Sequence, residues 1–284
     1  MDVPVLKPGS PVLRVLHISD LHLTPRRNRA REWVRSLAAL EPDLVVNTGD
    51  NLAHRDSVPA VLDALDPLLN RPGVFVFGSN DYYEPNFKNP ARYLLPQEGG
   101  RRISRPFLPY DDLREGLVSR GWVDLNNARA RVKVNHRELE VVGTDDAHVR
   151  RDHYDEVAGA ADPAADLNLG VTHAPYRRVL DAMTADGFGL ILAGHTHGGQ
   201  LCVPGFGALV TNCDLPRRQA SGLSEHVLRG SMPARALLHV SAGVGTSPYA
   251  PLRFACRPEA TLLTLVPVGA EVTGRDRARR PLLA

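Results

Sequence analysis

Five apolar, strand-like runs in this 284-residue sequence each end at residues that can bind a metal ion. The last run leads into Gly194-His195-Thr196-His197-Gly198-Gly199-Gln200. Two histidines one residue apart, set among glycines, fit a tight turn that aims both imidazoles at one point. The other four runs end in the segments 18–22 (Ile-Ser-Asp-Leu-His), 47–50 (Asn-Thr-Gly-Asp), 77–81 (Phe-Gly-Ser-Asn-Asp) and 171–173 (Val-Thr-His).

Together these segments offer seven candidate metal ligands, which are Asp20, His22, Asp50, Asn80, His173, His195 and His197. A single tetrahedral zinc ion takes only four ligands, so this set is too large for one such site. Two divalent ions that share a carboxylate, typically ~3.5–4 Å apart, would use all seven. Paired ions of this kind activate water and hold phosphate oxygens. The residue types therefore predict a site for phosphoryl chemistry.

The segments that carry these residues have the pattern of βα units. Strands are predicted at 12–19, 44–47 and 74–77, separated by helices at 30–40 and 58–69. The same alternation returns later, with strands at 167–172 and 190–193 around a helix at 176–185. In open α/β sheets, ligands collect beyond the carboxyl ends of the strands. The candidates all follow strands, so the fold should bring them to one edge.

Between and after these units the pattern predicts further strands and one short helix. The strands are at 122–125, 131–134, 138–142, 208–211, 237–241 and 261–266, and the helix is at 113–120. Residues 84–112 have no periodicity and mix prolines, arginines and aromatic residues, which predicts a long loop. We predict one α/β domain over residues 1–273, with two stacked sheets, and a basic, disordered tail at 274–284.

Composition and charge narrow the class of protein. The hydrophobic fraction of 43% and the charged fraction of 23% are typical of a globular domain. A net charge of +2 predicts no stable complex with nucleic acid. The three cysteines are too few and too far apart for a disulfide framework. Residues 1–11 lack the features of a signal peptide, and no apolar stretch is long enough to span a membrane. These features favour a cytoplasmic protein.

In their order and residue types, the motifs resemble those of the calcineurin-like metallophosphoesterase superfamily. The pattern of that superfamily is D-x-H, G-D, G-N-H-D/E, a lone H and G-H-x-H. The heptapeptide 194–200, with Leu252-Arg253-Phe254 and Arg257-Pro258-Glu259 after it, is similar to the YkuE/YaeI-type branch of bacterial phosphodiesterases. The resemblance covers residues 12–266, nearly the whole chain. It implies a four-layer α/β/β/α sandwich in which two mixed β-sheets are flanked by helices.

The resemblance also implies a role for each candidate ligand. One divalent ion would be held by Asp20, His22 and His197, and the other by Asn80, His173 and His195. Asp50 would bridge the two ions, which we expect to be Mn, Fe or Zn because the ligands mix oxygen and nitrogen. A water shared by both ions would become hydroxide and attack phosphorus directly, without a covalent enzyme intermediate. Asp50, Asn80 and His195 are the residues expected to be catalytic.

The third motif departs from the family pattern, because Gly78-Ser79-Asn80-Asp81 stands where the family has G-N-H-D. Aligned without a gap, Ser79 replaces the ligand Asn, and Asn80 replaces a His that protonates the leaving oxygen or stabilises the transition state. Asn80 could reach the metal itself through a one-residue shift. Alternatively, the second ion has a weaker ligand set. We favour the first reading, because an amide oxygen is a better ligand than a neutral hydroxyl. Asn cannot donate a proton at neutral pH.

Three hypotheses about function follow. The preferred one is a phosphoesterase, more specifically a phosphodiesterase, acting on a nucleotide or a lipid headgroup. The second is a metal-binding relative with little or no activity that serves as a sensor or interaction module. The third is a nuclease, and we disfavour it because no sequence pattern predicts a basic groove. The sequence also leaves open whether Asp145-Asp146 supports a ligand histidine or forms a turn, and whether Arg253 clamps phosphate or pairs at the surface.

Overall fold

Two six-stranded mixed sheets form the centre of the computed structural model, which describes residues 1–85, 106–204, 206–229, 231–249 and 252–270. The strands of the first sheet are β1 (Asp2–Leu6), β2 (Leu13–Ile18), β3 (Leu44–Asn47), β4 (Gly73–Phe75), β5 (Val123–Asp124) and β14 (Thr261–Pro267). They lie in the order β1–β14–β2–β3–β4–β5. The pairs from β2 to β5 are all parallel, and only β14 pairs antiparallel, with β2.

The second sheet has a similar arrangement. Its strands are β6 (Ala128–Val134), β7 (Arg137–Thr144), β8 (Leu167–Thr172), β9 (Leu190–Ala193), β12 (Gly222–Leu228) and β13 (Ala234–Val240). They lie in the order β12–β13–β9–β8–β7–β6, with parallel pairs from β13 to β7 and an antiparallel pair at each edge. A separate two-stranded hairpin joins β10 (Cys202–Val203) to β11 (Gly207–Ala208).

Helices cover the outer face of each sheet. Those on the first sheet are α1 (Asn28–Ser36), α2 (Val58–Leu65), α3 (Ser79–Tyr82) and α4 (Tyr110–Val118), and α5 (Arg177–Asp186) covers the second. Three apolar clusters separate the layers, one between the two sheets and one under each helical face. The predicted four-layer α/β/β/α sandwich is therefore confirmed. Among the described residues, no helix is both long enough and apolar enough to cross a bilayer.

Fully buried strands explain why the sequence predicted the centre of each sheet well. All four residues of β3 and all four of β9 are buried. Parallel strands covered on both faces appear in a sequence as continuous apolar runs, because neither face meets water. The carboxyl ends of β2, β3, β8 and β9 lead directly into the turns that carry the candidate ligands.

Some predicted elements differ from the observed ones. Helix α4 begins at Tyr110, so the predicted loop ends earlier than residue 112, and residues 86–105 of that loop lie outside the described ranges. The predicted tail lies outside them as well. The strand predicted at 208–211 is only the short β11. Strands β1 and β12 were not predicted. The partner of β1 is at the far end of the chain, so local periodicity gives little sign of the pairing.

Candidate metal centre

Five of the candidate ligands lie in backbone conformations that residues other than glycine rarely adopt. Their φ angles are positive, at 51° for Asp20, 42° for His22, 56° for Asp50, 70° for His195 and 50° for His197. A non-glycine residue in this left-handed region costs about 1–3 kcal/mol, and such residues cluster at functional sites. The turns after the strands are thus held in strained conformations that direct these five side chains.

The first group of converging side chains consists of Asp20, His22 and His197. One ligand atom from each lies within 4.8 Å of the others. The Nε2 atom of His197 is 3.5 Å from Asp20 Oδ1, and the Nε2 atom of His22 is 3.9 Å from the same oxygen. The two imidazole rings stack with their centroids 5.1 Å apart. This group contains the same three residues that the resemblance implies for one ion.

A second group consists of Asp20, Asp50 and His173, again with ligand atoms within 4.8 Å of one another. Asp50 also contacts the first group, because its Oδ2 atom is 3.6 Å from His22 Nε2 as well as 3.6 Å from His173 Nε2. His195 is close to this second group, with its ring centroid 5.2 Å from that of His173. These groups bring together candidates from four of the five strand-end turns, and Asn80 of the fifth turn contacts Asp50 directly.

The buried atoms of these residues fit a divalent metal ion. Among the described residues, Asp20 Oδ1, both ring nitrogens of His22, and His173 Nε2 are buried without a hydrogen-bond partner. A buried polar atom without a partner costs about 1–3 kcal/mol, so a cluster of them needs an explanation. All four atoms are metal-ligating types, and Asp20 Oδ1, His22 Nε2 and His173 Nε2 lie among the atoms of the two groups. Imidazole nitrogen combined with carboxylate oxygen suits Mn, Fe or Zn.

Backbone carbonyls set the proton positions on two of the histidines. The Nδ1 atom of His173 is 2.6 Å from the Thr48 carbonyl, and the Nε2 atom of His195 is 3.2 Å from the Asn212 carbonyl. A carbonyl only accepts hydrogen bonds, so these nitrogens carry the protons in the neutral rings. The opposite nitrogens, His173 Nε2 and His195 Nδ1, are then available as ligands. Metal-binding histidines usually donate a hydrogen bond of this kind from the ring nitrogen that does not bind the metal.

The charges within the cluster are strongly coupled. Burial alone would lower the pKa of His173, but the Asp50, Asp146 and Asp20 carboxylates raise it to about 9. Burial would raise the pKa of Asp50, but His173 and His22 hold it well below its usual range. Burial lowers the pKa of His22 to about 4, so that ring is neutral at pH 7. A metal ion would take the place of the His173 proton as the positive partner of Asp50.

Glycine is required at two positions around the cluster, because a side chain there would fill the space between the candidate ligands. A Cβ atom on Gly78 would lie 2.6 Å from His173 Nε2 and would also collide with the Asp50 carboxylate. A Cβ atom on Gly194 would lie 2.7 Å from Asp20 Oδ2. These two glycines therefore keep open the space into which the ligand atoms point.

The unusual third motif places Asn80 directly against Asp50. The backbone N–H of Asn80 donates to Asp50 Oδ1 at 2.8 Å, and its Nδ2 atom donates to Asp50 Oδ2 at 2.6 Å. The Asp81 carboxylate accepts from four backbone N–H groups, those of Asp50, Asn51, Leu52 and Gly78, at 2.7–3.2 Å. Asn80 therefore faces the centre, and Asp81 holds the turn that carries Asp50. This contact favours Asn80 over Ser79 as the functional residue of the motif.

A pair of alanine variants separates the two readings of this motif. We expect Asn80→Ala to weaken metal binding and phosphoesterase activity by about 10–100-fold, because it removes a hydrogen bond to Asp50 and a candidate ligand. Ser79→Ala should change both by less than about twofold, because its hydroxyl is a poor ligand. Isothermal titration with Mn²⁺ and steady-state kinetics would measure the two effects. The opposite ranking of the variants would place the ligand at Ser79.

Asp145 and Asp146 both form a turn and support a candidate ligand histidine, the two roles that the sequence left open. Asp146 is buried, and its Oδ1 atom accepts from the His148 N–H at 2.8 Å, which begins a short 3₁₀ turn. Its charge also helps to raise the pKa of His173. Asp145 accepts hydrogen bonds from Tyr82 Oη at 2.9 Å and from Arg151 at 2.8 Å. The pair thus forms a turn and supports the candidate centre electrostatically.

The sequence did not single out His148 as a site residue. Its ring centroid lies 4.6 Å from that of His195, and its Nδ1 atom is 3.0 Å from Tyr176 Oη. His148 follows β7, so it is also on a turn at the carboxyl end of a strand. The signal that could have found it was this strand-end position, because no motif surrounds it.

Arg253 contacts the loop next to His197. Its Nη2 atom donates to the carbonyls of Gly243 and Gly245 and lies 3.3 Å from His197 Nδ1. Its Nε atom is buried and has no hydrogen-bond partner in the described part of the chain, and no carboxylate there forms an ion pair with the guanidinium. It fixes the loop that borders His197.

An α/β/β/α sandwich with aspartate and histidine side chains converging from its strand-end turns has the architecture of a metallophosphoesterase. The chain belongs to the calcineurin-like phosphoesterase family, whose sequence model matches residues 13–199. Membership of this family implies that the protein hydrolyses phosphoric esters with the help of divalent metal ions.

Two bacterial proteins and one solved archaeal structure illustrate what the chain is similar to. The uncharacterized protein YpbG of Bacillus subtilis (strain 168) is 26% identical over 90% of this chain and 82% of its own. The phosphodiesterase YaeI of Escherichia coli (strain K12) is 29% identical over 92% of this chain and 84% of its own. Among solved structures, an archaeal phosphodiesterase matches 89% of this chain and all of its own, with 13% identity and a TM-score of 0.39. That last likeness concerns the fold alone.

Proposed function

We propose that the chain is a phosphodiesterase that uses two divalent metal ions. The observation that carries this proposal is the set of buried, unpartnered ligand atoms on Asp20, His22 and His173. Asp50 Oδ2 is 3.6 Å from a histidine nitrogen of each group, which supports a pair of ions rather than one. The ions that suit the oxygen and nitrogen ligands are Mn, Fe or Zn.

Each residue of the cluster has a proposed role. Asp20, His22 and His197 would hold one ion, Asn80, His173 and His195 the other, and Asp50 would contact both. When bound, such ions supply Lewis acidity and lower the pKa of water to near neutrality.

Other residues of the chain would position these ligands. Asp81 fixes the backbone of the Asp50 turn, and the carbonyls of Thr48 and Asn212 fix the orientation of His173 and His195. These contacts hold the ligands in place before substrate arrives, which reduces the reorganisation needed during the reaction.

The third motif bears on the substrate. Asn80 occupies the place beside Asp50 and cannot donate a proton to a leaving group at neutral pH. A loss of general acid catalysis costs about 10²–10⁴ in rate when the leaving group is strongly basic. An ester whose leaving group has a low pKa needs no such proton. We therefore expect a steep dependence of rate on the leaving group. The relative YaeI is named a phosphodiesterase, which supports a diester rather than a monoester.

The test compares bis-p-nitrophenyl phosphate with p-nitrophenyl phosphate, using metal-stripped protein resupplied with Mn, Fe or Zn. We expect metal-dependent turnover of the diester, slower turnover of the monoester, and a loss of about 10²–10³-fold in His195→Ala. His136→Ala, which makes the same change at an exposed position, serves as the matched control. No turnover by protein that demonstrably binds two ions would contradict the proposal and favour a sensor or interaction module.

A further inference from the structure

Exposed apolar side chains are concentrated beside the candidate metal centre. Five of the large apolar residues that are exposed in the described part of the chain lie in two segments, residues 201–206 and 252–254. They are Leu201, Val203, Phe206, Leu252 and Phe254, with exposed fractions of 38%, 43%, 62%, 74% and 62%. We call these five residues the apolar rim. Exposed apolar groups gathered in one place often mark an interaction site.

The two segments of the apolar rim are held together and are joined to the turn that carries His197. The Cys202 N–H donates to the Phe254 carbonyl at 2.9 Å, and the Phe254 N–H donates to the Gln200 carbonyl at 3.0 Å. Leu201 and Phe254 also form an isolated parallel bridge. The Phe206 N–H donates to the Val203 carbonyl at 3.0 Å, which places Phe206 at the tip of the β10–β11 hairpin. The two segments of the apolar rim are therefore tied to each other and to Gln200, three residues after His197.

A cavity of about 340 Å³ opens within this border. Its walls include Val203, Phe206 and Ala208, and one wall is Gly198, the residue that follows His197. The cavity thus lies beside the turn that carries His197 and under the part of the apolar rim formed by Val203 and Phe206. Its volume is in the usual range for small-molecule sites, about 300–1,000 Å³.

Two arginines supply positive charge at the same place. Arg217 and Arg218 are exposed and line the cavity, and the guanidinium of Arg217 lies over the Phe206 ring, 4.9 Å from its centroid. Neither forms an ion pair with a carboxylate in the described part of the chain. Apolar side chains bordered by unpaired cations match an anionic lipid surface, where acyl chains meet negative headgroups.

We propose that the apolar rim, together with Arg217 and Arg218, docks the protein on an anionic lipid bilayer. Phe206 and Leu252 would enter the boundary between headgroups and acyl chains, and the two guanidinium groups would contact phosphate oxygens. Gly198 lines the cavity and directly follows His197, so docking would hold the candidate metal centre close to the lipid surface. The docking does not depend on catalysis, and it can be tested separately from the proposed function.

Co-sedimentation of the full chain with vesicles tests the docking. We expect binding to dioleoylphosphatidylglycerol vesicles, little binding to dioleoylphosphatidylcholine vesicles, and weaker binding at high salt. Phe206→Ser with Leu252→Ser should weaken binding by at least about tenfold, because two large apolar side chains no longer insert. Arg217→Gln with Arg218→Gln should weaken it by about tenfold or more. Val12→Ser with Val118→Ser, where each valine is 47% exposed, is the matched control and should bind normally.

Two results would overturn the docking. One is that the wild type and the Phe206→Ser, Leu252→Ser variant bind the anionic vesicles equally, or that neither binds them. The variant must keep the melting temperature and metal content of the wild type for this comparison. The other is a concentration-dependent dimer that this variant abolishes, which would assign the apolar rim to a second copy of the chain. Vesicle binding without phosphodiester turnover would leave the docking intact and count against the proposed function alone.

Discussion

Replacing Asp50 with asparagine is expected to reduce phosphodiester hydrolysis by about 10³-fold and to remove at least one of the two metal ions. The change keeps the shape of the side chain but removes its negative charge. Asp50 Oδ2 lies 3.6 Å from His22 Nε2 and from His173 Nε2, so one oxygen faces a histidine of each candidate group. Without it, two divalent ions would repel each other with no anion between them.

The measurement is metal content by elemental analysis together with kcat/KM on bis-p-nitrophenyl phosphate. Asp155→Asn is the control because it makes the same chemical change at an exposed position. The fold should survive in Asp50→Asn, because an amide can still accept the hydrogen bond from the Asn80 N–H. Wild-type activity in this variant would rule out a bridging role for Asp50, and with it the two-metal mechanism.

Asp81→Ala is expected to destabilise the protein by about 3–5 kcal/mol and to abolish metal binding. Its carboxylate accepts from four backbone N–H groups, and all four would be buried without this partner. Each unsatisfied buried donor costs about 1–3 kcal/mol, and partial rearrangement should recover some of the sum. The turn that carries Asp50 would also lose its anchor, so the candidate ligand would no longer be directed towards His173.

Asp81→Asn provides a graded comparison for this prediction. Burial, and then the nearby charge of Asp50, raise the pKa of Asp81 to about 7, so a neutral side chain relieves an unfavourable charge. The amide also keeps one acceptor oxygen. We therefore expect Asn to cost clearly less than Ala when the free energy of unfolding is measured by urea denaturation of metal-free protein. Equal stability of wild type and Asp81→Ala would show that the four N–H groups find other partners.

Much of the fold was predictable because its central strands are buried on both faces. The runs that became β3 and β9 are continuous in apolar residues, and each is followed by a turn with ligand-type side chains. The edge strand β1 was missed because its pairing joins opposite ends of the chain. The candidate ligands were identified from residue type and position, but their grouping needed the structure. Only coordinates could show that Asp20 takes part in both groups.

The supporting residues were harder to predict. Asp81 acts through hydrogen bonds to backbone groups of another turn, and Arg253 acts through carbonyls of a loop near His197. Backbone partners leave no pattern of side chains in the sequence, so these roles could not be read from motifs. The roles of the individual ligands, the cytoplasmic location, and the single domain over residues 1–273 stay predictions.

The candidate centre lies on the seam between the two sheets. Asp20, His22 and Asp50 follow strands of the first sheet, whereas His173 and His197 follow strands of the second. Each candidate ion would therefore take ligands from both halves of the sandwich, across more than a hundred residues of chain. A bound ion would act as a cross-link that closes a long loop and makes the halves unfold together. Metal supply would then govern resistance to proteases as well as catalysis.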